Sequence, residues 1–203
     1  MSGLFLAFEG GEGVGKSTQI WALAKWLSES GHTVRMTFEP GDTPLGAEIR
    51  RLVLDPASPP VSVRAETLLY AVDRAHHVDT MIRPALEAGE IVLTDRYLDS
   101  TLAYQGVGRS VQGARDITEW AAGGVLPALT VLLDLDPVIG LARAKSRSTP
   151  DRLEADSLEF HRSVRQAFLD LAAAEPTRYL VLDATEPPDV IAARVREAVT
   201  PLL

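Results

Sequence analysis

The feature that most constrains this chain is a glycine-rich segment between a short apolar run and an amphipathic stretch. Gly10, Gly15, Lys16 and Ser17 satisfy the phosphate-loop pattern, and Phe8 ends the apolar run before it. The backbone N–H groups of such a loop surround a polyphosphate, and the following helix directs its positive end at the anion. A glycine-rich turn that only joins strand to helix is the alternative, but the flanking strand and helix favour nucleotide binding. The predicted nucleotide-binding residues are Gly10, Gly11, Glu12, Gly13, Val14, Gly15, Lys16, Ser17 and Thr18.

Short apolar runs alternate with amphipathic stretches along the rest of the chain. Runs at 4–8, 33–38, 91–94, 129–135 and 179–182 have strand length, and most are apolar on both faces, as in a parallel sheet. Helical periodicity predicts helices over 16–29 and 65–88, another around Leu158 to Leu171, and a last one around Val190 to Val195. We therefore expect an α/β fold with a central parallel five-stranded sheet flanked by helices. Residues 1–203 are expected to form one domain, with ligands beyond the carboxyl ends of the strands.

Composition limits the possible partners. The chain has 28 acidic and 20 basic residues and a net charge of -8, which disfavours general binding to nucleic acid. It has no cysteine, which excludes disulfides, thiolate catalysis and cysteine-based metal sites. No apolar run approaches the roughly 20 residues of a membrane helix, and no signal peptide is visible. We expect a cytoplasmic protein that does not bind membranes.

Charged residues follow the third apolar run directly. Asp95 is predicted to lie at the carboxyl end of that strand, where an acid of this kind assists Mg²⁺ together with the hydroxyl of Ser17. Capping of the next helix is the alternative role of Asp95. Arg96 is predicted to face the same crevice, where it could bind a monophosphate with two hydrogen bonds. Lys16 is expected to reach the β- and γ-phosphates.

Several further motifs resemble those of thymidylate kinases, and the similarity covers nearly the whole chain. They are Glu-Pro-Gly-Asp-Thr at 39–43, Glu-Thr-Leu-Leu-Tyr-Ala-Val-Asp-Arg at 66–74, Asp-Arg-Tyr at 95–97, Ala-Tyr-Gln-Gly at 103–106 and Asp-Arg-Leu-Glu at 151–154. The resemblance implies a P-loop nucleoside monophosphate kinase fold. It also implies ATP and Mg²⁺ as cofactors, phosphorylation of dTMP to dTDP, and a homodimer. A kinase for another nucleoside monophosphate is the alternative.

The resemblance also implies roles for individual residues. Arg50 and Arg96 would bind the acceptor phosphate, while Tyr70 would stack on the thymine base and Arg74 would donate to its O4. Tyr104 would pack near the deoxyribose. Glu12 would lie near the transferred phosphate, and Thr101 would reach the base edge. The full acceptor set is Glu39, Arg50, Tyr70, Arg74, Arg96, Ser100, Thr101, Tyr104 and Gln105.

A basic cluster stands out in this acidic chain. Arg143, Lys145, Arg147 and Arg152 lie within residues 143–155, which we call the lid. A solvated helix face is the alternative interpretation. The family has a branch with Gly in the phosphate loop, as at Gly13, in which the lid supplies the catalytic arginine. Arg147 is the first choice for that role and Arg152 the second, so the predicted catalytic set is Lys16, Glu12, Asp95, Arg96, Arg147 and Arg152.

Some positions depart from the family pattern or carry no signal for the site. Phe38 and Asp42 stand where many relatives have Arg and Gly, so we expect the acceptor pocket to differ there. His76 and His77 are predicted to be exposed or capping residues rather than metal ligands. The three tryptophans, Trp21, Trp26 and Trp120, are predicted to be packing residues.

Overall fold

A computed structural model describes residues 3–146 and 151–203 of the chain. Within these residues five strands form one sheet in the order β2-β3-β1-β4-β5, and every pairing is parallel. The strands are β1 (Leu4–Glu9), β2 (Val34–Phe38), β3 (Ile91–Asp95), β4 (Leu129–Asp134) and β5 (Tyr179–Asp183). The predicted fold class is confirmed, and each predicted run corresponds to one strand.

Helices connect the strands and cover the sheet. In the described part of the chain they are α1 (Lys16–Glu29), α2 (Pro44–Leu54), α3 (Val63–His77), α4 (Arg83–Glu87), α5 (Leu98–Thr101), α6 (Ala114–Ala122), α7 (Pro137–Lys145), α8 (Leu158–Ala174) and α9 (Pro188–Val199). The predicted bounds of α1 coincide with the observed ones. No helix among the described residues combines the length and the apolar character needed to cross a membrane.

The central strands owe their position to their composition. β1, β3 and β4 are buried almost throughout, whereas the edge strands β2 and β5 are partly exposed. A strand with helices on both faces needs apolar side chains on both faces, and the three central runs meet that demand. In the register, Phe8 pairs with Asp95 and Glu9 with Leu132, so the carboxyl ends of β1, β3 and β4 meet at one edge.

The long helix predicted for residues 65–88 is not a single α-helix. α3 and α4 are joined by a π-helical segment, Val78–Ile82, and a second π-helical segment, Leu102–Gly108, continues α5. Such segments are rare, and they are frequent at functional sites. Tyr104 and Gln105, both predicted acceptor residues, lie in the second segment.

Candidate active site

The phosphate loop joins β1 to α1 at the carboxyl edge of the sheet. Gly10, Gly13 and Gly15 have φ angles of 131°, 65° and 98°, a region that favours glycine. A side chain at Gly13 would also collide with the carbonyl oxygen of Gly140 in α7. The glycines therefore allow both the shape of the loop and its close passage past α7.

Lys16 begins α1, and its ammonium group is buried against carbonyl oxygens of the loop. Nζ donates to the oxygens of Gly10 at 3.2 Å and Gly11 at 3.0 Å, and it lies 4.0 Å from Oδ1 of Asp95. Burial and the neighbouring guanidinium of Arg96 lower the pKa of Lys16. A polyphosphate anion in the loop would offer this ammonium a charged partner in place of neutral carbonyls.

Two oxygen groups suited to Mg²⁺ lie next to the loop. The hydroxyl of Ser17 donates to Oδ2 of Asp95 at 3.0 Å, although 78 residues separate them in sequence. Mg²⁺ is commonly bound by one or two protein oxygens together with waters and substrate phosphates, so this donor set fits the ion. The carboxylate of Asp95 faces Ser17 and Lys16. No side chain caps the N-terminus of α5, so Asp95 does not have the alternative role of capping the next helix.

Arg96 lies between the loop and the acceptor residues. The backbone φ of Arg96 is 70°, which is unusual for a residue other than glycine. The contacts around Arg96 must therefore hold its backbone in this conformation. Nη2 donates to Oε1 of Glu12 at 2.7 Å, and Nη1 donates to Gly10 O at 3.0 Å and to Oγ of Ser100 at 3.1 Å. The guanidinium carbon lies 5.1 Å from the centre of the Tyr104 ring, whose hydroxyl also donates to Glu12 at 2.7 Å.

Glu12 is ionised at neutral pH despite its burial. Burial is the largest effect and raises its pKa, but the charges of Arg96 and Lys16 and the hydrogen bond from Tyr104 outweigh it. Together they lower the pKa of Glu12 to about 2. The loop therefore carries a fixed negative charge opposite Arg96.

Glu9 is a site residue for which the sequence analysis assigned no role. Its carboxylate is fully buried and accepts from the backbone N–H groups of Tyr97 at 2.8 Å and Ser100 at 3.2 Å, and from the hydroxyl of Ser100 at 2.6 Å. The pKa of Glu9 is raised, mainly by its burial and next by the negative charge of Asp99. The hydrogen bonds hold the turn that carries Arg96. The available signal was a lone acid at the end of an apolar strand.

Arg74 lies at the opposite end of the site and is almost fully buried. Nε donates to Oε2 of Glu39 at 2.9 Å, Nη2 to Tyr97 O at 3.0 Å, and Nη1 to Oγ1 of Thr101 at 3.0 Å. His77, predicted to be exposed or capping, is instead buried, with its Nδ1 2.9 Å from Oε1 of Glu39. That prediction is wrong because α3 turns this face of the helix toward β2 and the sheet.

The other predicted acceptor residues surround Arg74 and Arg96. Tyr70 is buried one helical turn before Arg74, and its hydroxyl has no hydrogen-bond partner among the described residues. Nε2 of Gln105 donates to Oε1 of Glu66 at 2.8 Å. Arg50 donates to Pro40 O at 2.7 Å, with its guanidinium carbon 5.6 Å from the ring centre of Phe38.

One cavity of about 590 Å³ brings these groups together. Its wall includes most of the predicted nucleotide and acceptor residues, namely Glu12, Gly13, Val14, Gly15, Lys16, Ser17, Thr18, Glu39, Arg50, Tyr70, Arg74, Asp95, Arg96, Ser100, Thr101, Tyr104 and Gln105. Gly10 and Gly11 lie behind that wall, where their carbonyl oxygens accept from Lys16. Two acids of the lid, Asp151 and Glu154, also line the cavity.

Arg152, the second choice for the catalytic arginine of the lid, does not join this group. Arg152 is absent from the cavity wall, and its guanidinium donates to the carbonyl oxygens of Leu52, Ser58 and Pro59 at 3.1–3.2 Å. Arg147, the first choice, lies outside the described residues. Both assignments stay predictions.

Comparison with known proteins supplies the family. The family model described as thymidylate kinase matches residues 8–195, which is most of the chain. The chain belongs to the thymidylate kinase family. A thymidylate kinase of Clavibacter sepedonicus is 57% identical over 199 residues, covering 97% of this chain and 94% of the relative. A thymidylate kinase of Deinococcus radiodurans is 56% identical over 200 residues, covering 98% of this chain and 97% of the relative.

The fold agrees with that family. The crystal structure of thymidylate kinase from Ehrlichia chaffeensis matches with a TM-score of 0.79 and 28% sequence identity, over 98% of this chain and 99% of that chain. The parallel five-stranded sheet with its phosphate loop is thus the P-loop nucleoside monophosphate kinase fold. The resemblance carried by the sequence motifs is confirmed.

Proposed function

We propose that this chain transfers the γ-phosphoryl group of ATP to dTMP and releases dTDP and ADP. The observation that carries the proposal is a single cavity with a phosphate loop at one end and the buried Arg74–Thr101 pair at the other. Arg96 lies between the two ends, where the phosphates of donor and acceptor would meet. Membership of the thymidylate kinase family supports the identity of both substrates.

The donor end would hold ATP through residues Gly10 to Thr18. Loop N–H groups and the N-terminus of α1 would bind the phosphates, while Lys16 would exchange its carbonyl partners for the β- and γ-oxygens. Ser17 and Asp95 would hold Mg²⁺, which supplies charge neutralisation at the phosphates when bound. The adjacency of those two oxygen groups supports this assignment.

The acceptor end would bind dTMP by its phosphate, sugar and base. Arg96 and Arg50 would bind the monophosphate, because each guanidinium lines the cavity and a guanidinium matches the geometry of a phosphate. Tyr70 would stack on the base, and Tyr104 would pack against the deoxyribose. Arg74 and Thr101 would meet the base edge. Glu39 and Ser100 would hold Arg74 and Arg96 in position through their hydrogen bonds, and Gln105, bonded to Glu66, would complete the acceptor set.

Positioning and charge neutralisation would account for catalysis. The attacking atom is an oxygen of a phosphate that is already largely ionised, so the reaction needs no strong general base. Glu12 stays ionised and pairs with Arg96, which keeps this guanidinium beside the loop. Closure of the lid, residues 143–155, would bring Arg147 or Arg152 to the transferred group.

We further propose that residues 1–203 form one domain that acts as a cytoplasmic homodimer without a nucleic-acid partner. The net charge of -8 supports the last point. Leu68 and Val72 are exposed on α3, and an apolar helix face of this kind is suited to a subunit interface. Sedimentation velocity would detect a species of about 44 kDa, twice the chain mass of 21.9 kDa. A single species of chain mass would contradict the dimer.

The substrate assignment is tested by a coupled assay of ADP release. The purified protein is given Mg²⁺-ATP with dTMP, dUMP, UMP, CMP or AMP, and kcat/KM is compared across the acceptors. We expect the highest value for dTMP, a modestly lower one for dUMP and a much lower one for UMP, CMP and AMP. A higher value for another monophosphate would favour the alternative kinase.

A further inference from the structure

A chain of polar side chains runs from the rim of the cavity to Arg74. Asp42 accepts from the hydroxyl of Thr37 at 2.5 Å, and the same hydroxyl oxygen lies 2.6 Å from Nε2 of His77. Nδ1 of His77 lies 2.9 Å from Oε1 of Glu39, whose Oε2 accepts from Nε of Arg74 at 2.9 Å. His77, Glu39 and Arg74 are all buried, so these contacts are shielded from water.

The contacts determine the orientation of the imidazole ring. A carboxylate has only acceptor positions toward Nδ1, so we assign the proton of that contact to Nδ1 of His77 and the acceptor to Glu39. The single hydroxyl proton of Thr37 goes to Asp42, so Nε2 of His77 donates to the Thr37 oxygen, and rotation of the ring would break both ring contacts at once. Thr37 is itself anchored by Asp42, one of the two positions that depart from the family pattern.

His77 thereby holds Glu39 on the side away from Arg74. Without this contact one carboxylate oxygen would be buried without a partner, and the carboxylate could rotate about its last bond. Its other oxygen lies 2.9 Å from both Nε and Nη2 of Arg74. Rotation of Glu39 would therefore shift the plane of the guanidinium and its contact with Thr101.

The guanidinium of Arg74 also limits what the base pocket can accept. Nε and Nη2 are bound to Glu39 and Tyr97, while Nη1 uses one of its two N–H groups for Thr101. Arg74 and Thr101 both line the cavity. A guanidinium donates and never accepts, so the pocket suits a carbonyl oxygen at the base edge and disfavours an amino group there.

We propose that His77 is a positioning residue for base selectivity, which holds Glu39 so that Arg74 presents its donors to a pyrimidine carbonyl. This inference rests on the proposed function, because it assumes that the acceptor base lies against Arg74. His77 is absent from the cavity wall and acts through Glu39. Its removal should therefore change the choice between acceptors more than the turnover of ATP.

Two amide substitutions separate positioning from simple filling of space. The side-chain nitrogen of Asn can stand where Nδ1 stands, and that of Gln where Nε2 stands. His77→Asn can therefore keep the donor to Glu39, whereas His77→Gln keeps only the contact to Thr37. The readout is the ratio of kcat/KM for dTMP to that for dCMP, which carries an amino group in place of the 4-carbonyl and lacks the 5-methyl group; the methyl difference is the same in wild type and variants, so the change in the ratio reports on the carbonyl. KM for ATP and Tm are measured in parallel.

We expect His77→Gln to lower the dTMP-to-dCMP ratio about tenfold, and His77→Asn to keep it within about threefold of the wild type. KM for ATP should stay unchanged in both. Equal ratios in the wild type and both variants would overturn the role of His77, as would equal losses in both. If the wild type does not phosphorylate dTMP at all, the proposed function itself fails, which is a separate outcome.

A second pair of variants covers the case in which His77→Gln does not fold. Thr37→Val removes the hydroxyl that anchors the ring, and Thr37→Ser keeps it. We expect Thr37→Val to lower the dTMP-to-dCMP ratio about threefold, with Thr37→Ser close to the wild type. If both variants retain the wild-type ratio, the anchored ring does not set selectivity.

Discussion

Replacement of Glu12 by Gln tests the electrostatic arrangement at the centre of the site. Gln has the shape of the protonated carboxyl group and cannot ionise. The free energy lost in Glu12→Gln therefore approximates the preference of the folded protein for the ionised form. The Glu12 side chain is only 16% exposed, so screening by solvent does not remove this preference.

The magnitude follows from the pKa of Glu12. The folded protein lowers this pKa from 4.5 to about 2, which corresponds to about 3 kcal/mol of stability. Because the folded-state pKa is the lower one, the contribution is present in full above pH 4.5 and is lost as the pH falls through 2. Glu12→Gln should thus cost about 3 kcal/mol at pH 7 and about 1 kcal/mol near pH 3.

Urea unfolding at several pH values measures this difference. The matched control is Glu119→Gln in α6, where an exposed carboxylate lies 3.2 Å from Arg115. An exposed pair of this kind contributes about 0–1 kcal/mol, so the control should cost little at any pH. A cost for Glu12→Gln that equals the control, or that does not shrink between pH 7 and pH 3, would show that the folded protein does not favour the ionised form of Glu12.

Three further predictions concern other residues. Arg147→Ala should lower kcat more than it raises KM for dTMP. Arg152→Ala should lower kcat less than Arg147→Ala does, because the guanidinium of Arg152 is bound to carbonyl oxygens outside the cavity. Steady-state kinetics of both variants decide this. Tyr104→Ala should narrow the ratio of kcat/KM between dUMP and UMP, and an unchanged ratio would remove Tyr104 from the sugar site. Arg178→Met should destabilise the fold by roughly 3–5 kcal/mol in urea unfolding, because it leaves the buried carboxylate of Asp99 without its partner at 3.0 Å.

Local patterns in the sequence were sufficient to predict the phosphate loop, the first helix and the strands. The phosphate loop rests on glycines at set spacing, and the bounds of α1 follow from the end of that loop and the amphipathic stretch after it. The five apolar runs predicted the five strands in the described chain, and the signal is continuous in β1, β3 and β4, which are buried on both faces. Lys16, Ser17 and Asp95 could be grouped because parallel strands end at a common edge.

Features that depend on contacts between distant segments could not be predicted from the sequence. His77 lies on a helix, and only the packing of α3 against β2 decides that its ring is buried against Glu39. The π-helical segment around Tyr104 departs from the 3.6-residue helical period on which sequence patterns depend. Trp21 and Trp120 were predicted to be packing residues, but they are 65% and 81% exposed, since an aromatic side chain alone does not reveal which face of its helix is covered.

We propose that the phosphate loop and the acceptor pocket serve one reaction. The direct measurement is a product analysis by ³¹P NMR after incubation of the protein with Mg²⁺-ATP and dTMP. The wild type should form equal amounts of ADP and dTDP, and folded Lys16→Ala should form almost none, because loss of this charge at the transferred group costs several kcal/mol in such sites. Release of ADP without dTDP, or normal formation of dTDP by Lys16→Ala, would contradict a joint role of the loop and the pocket.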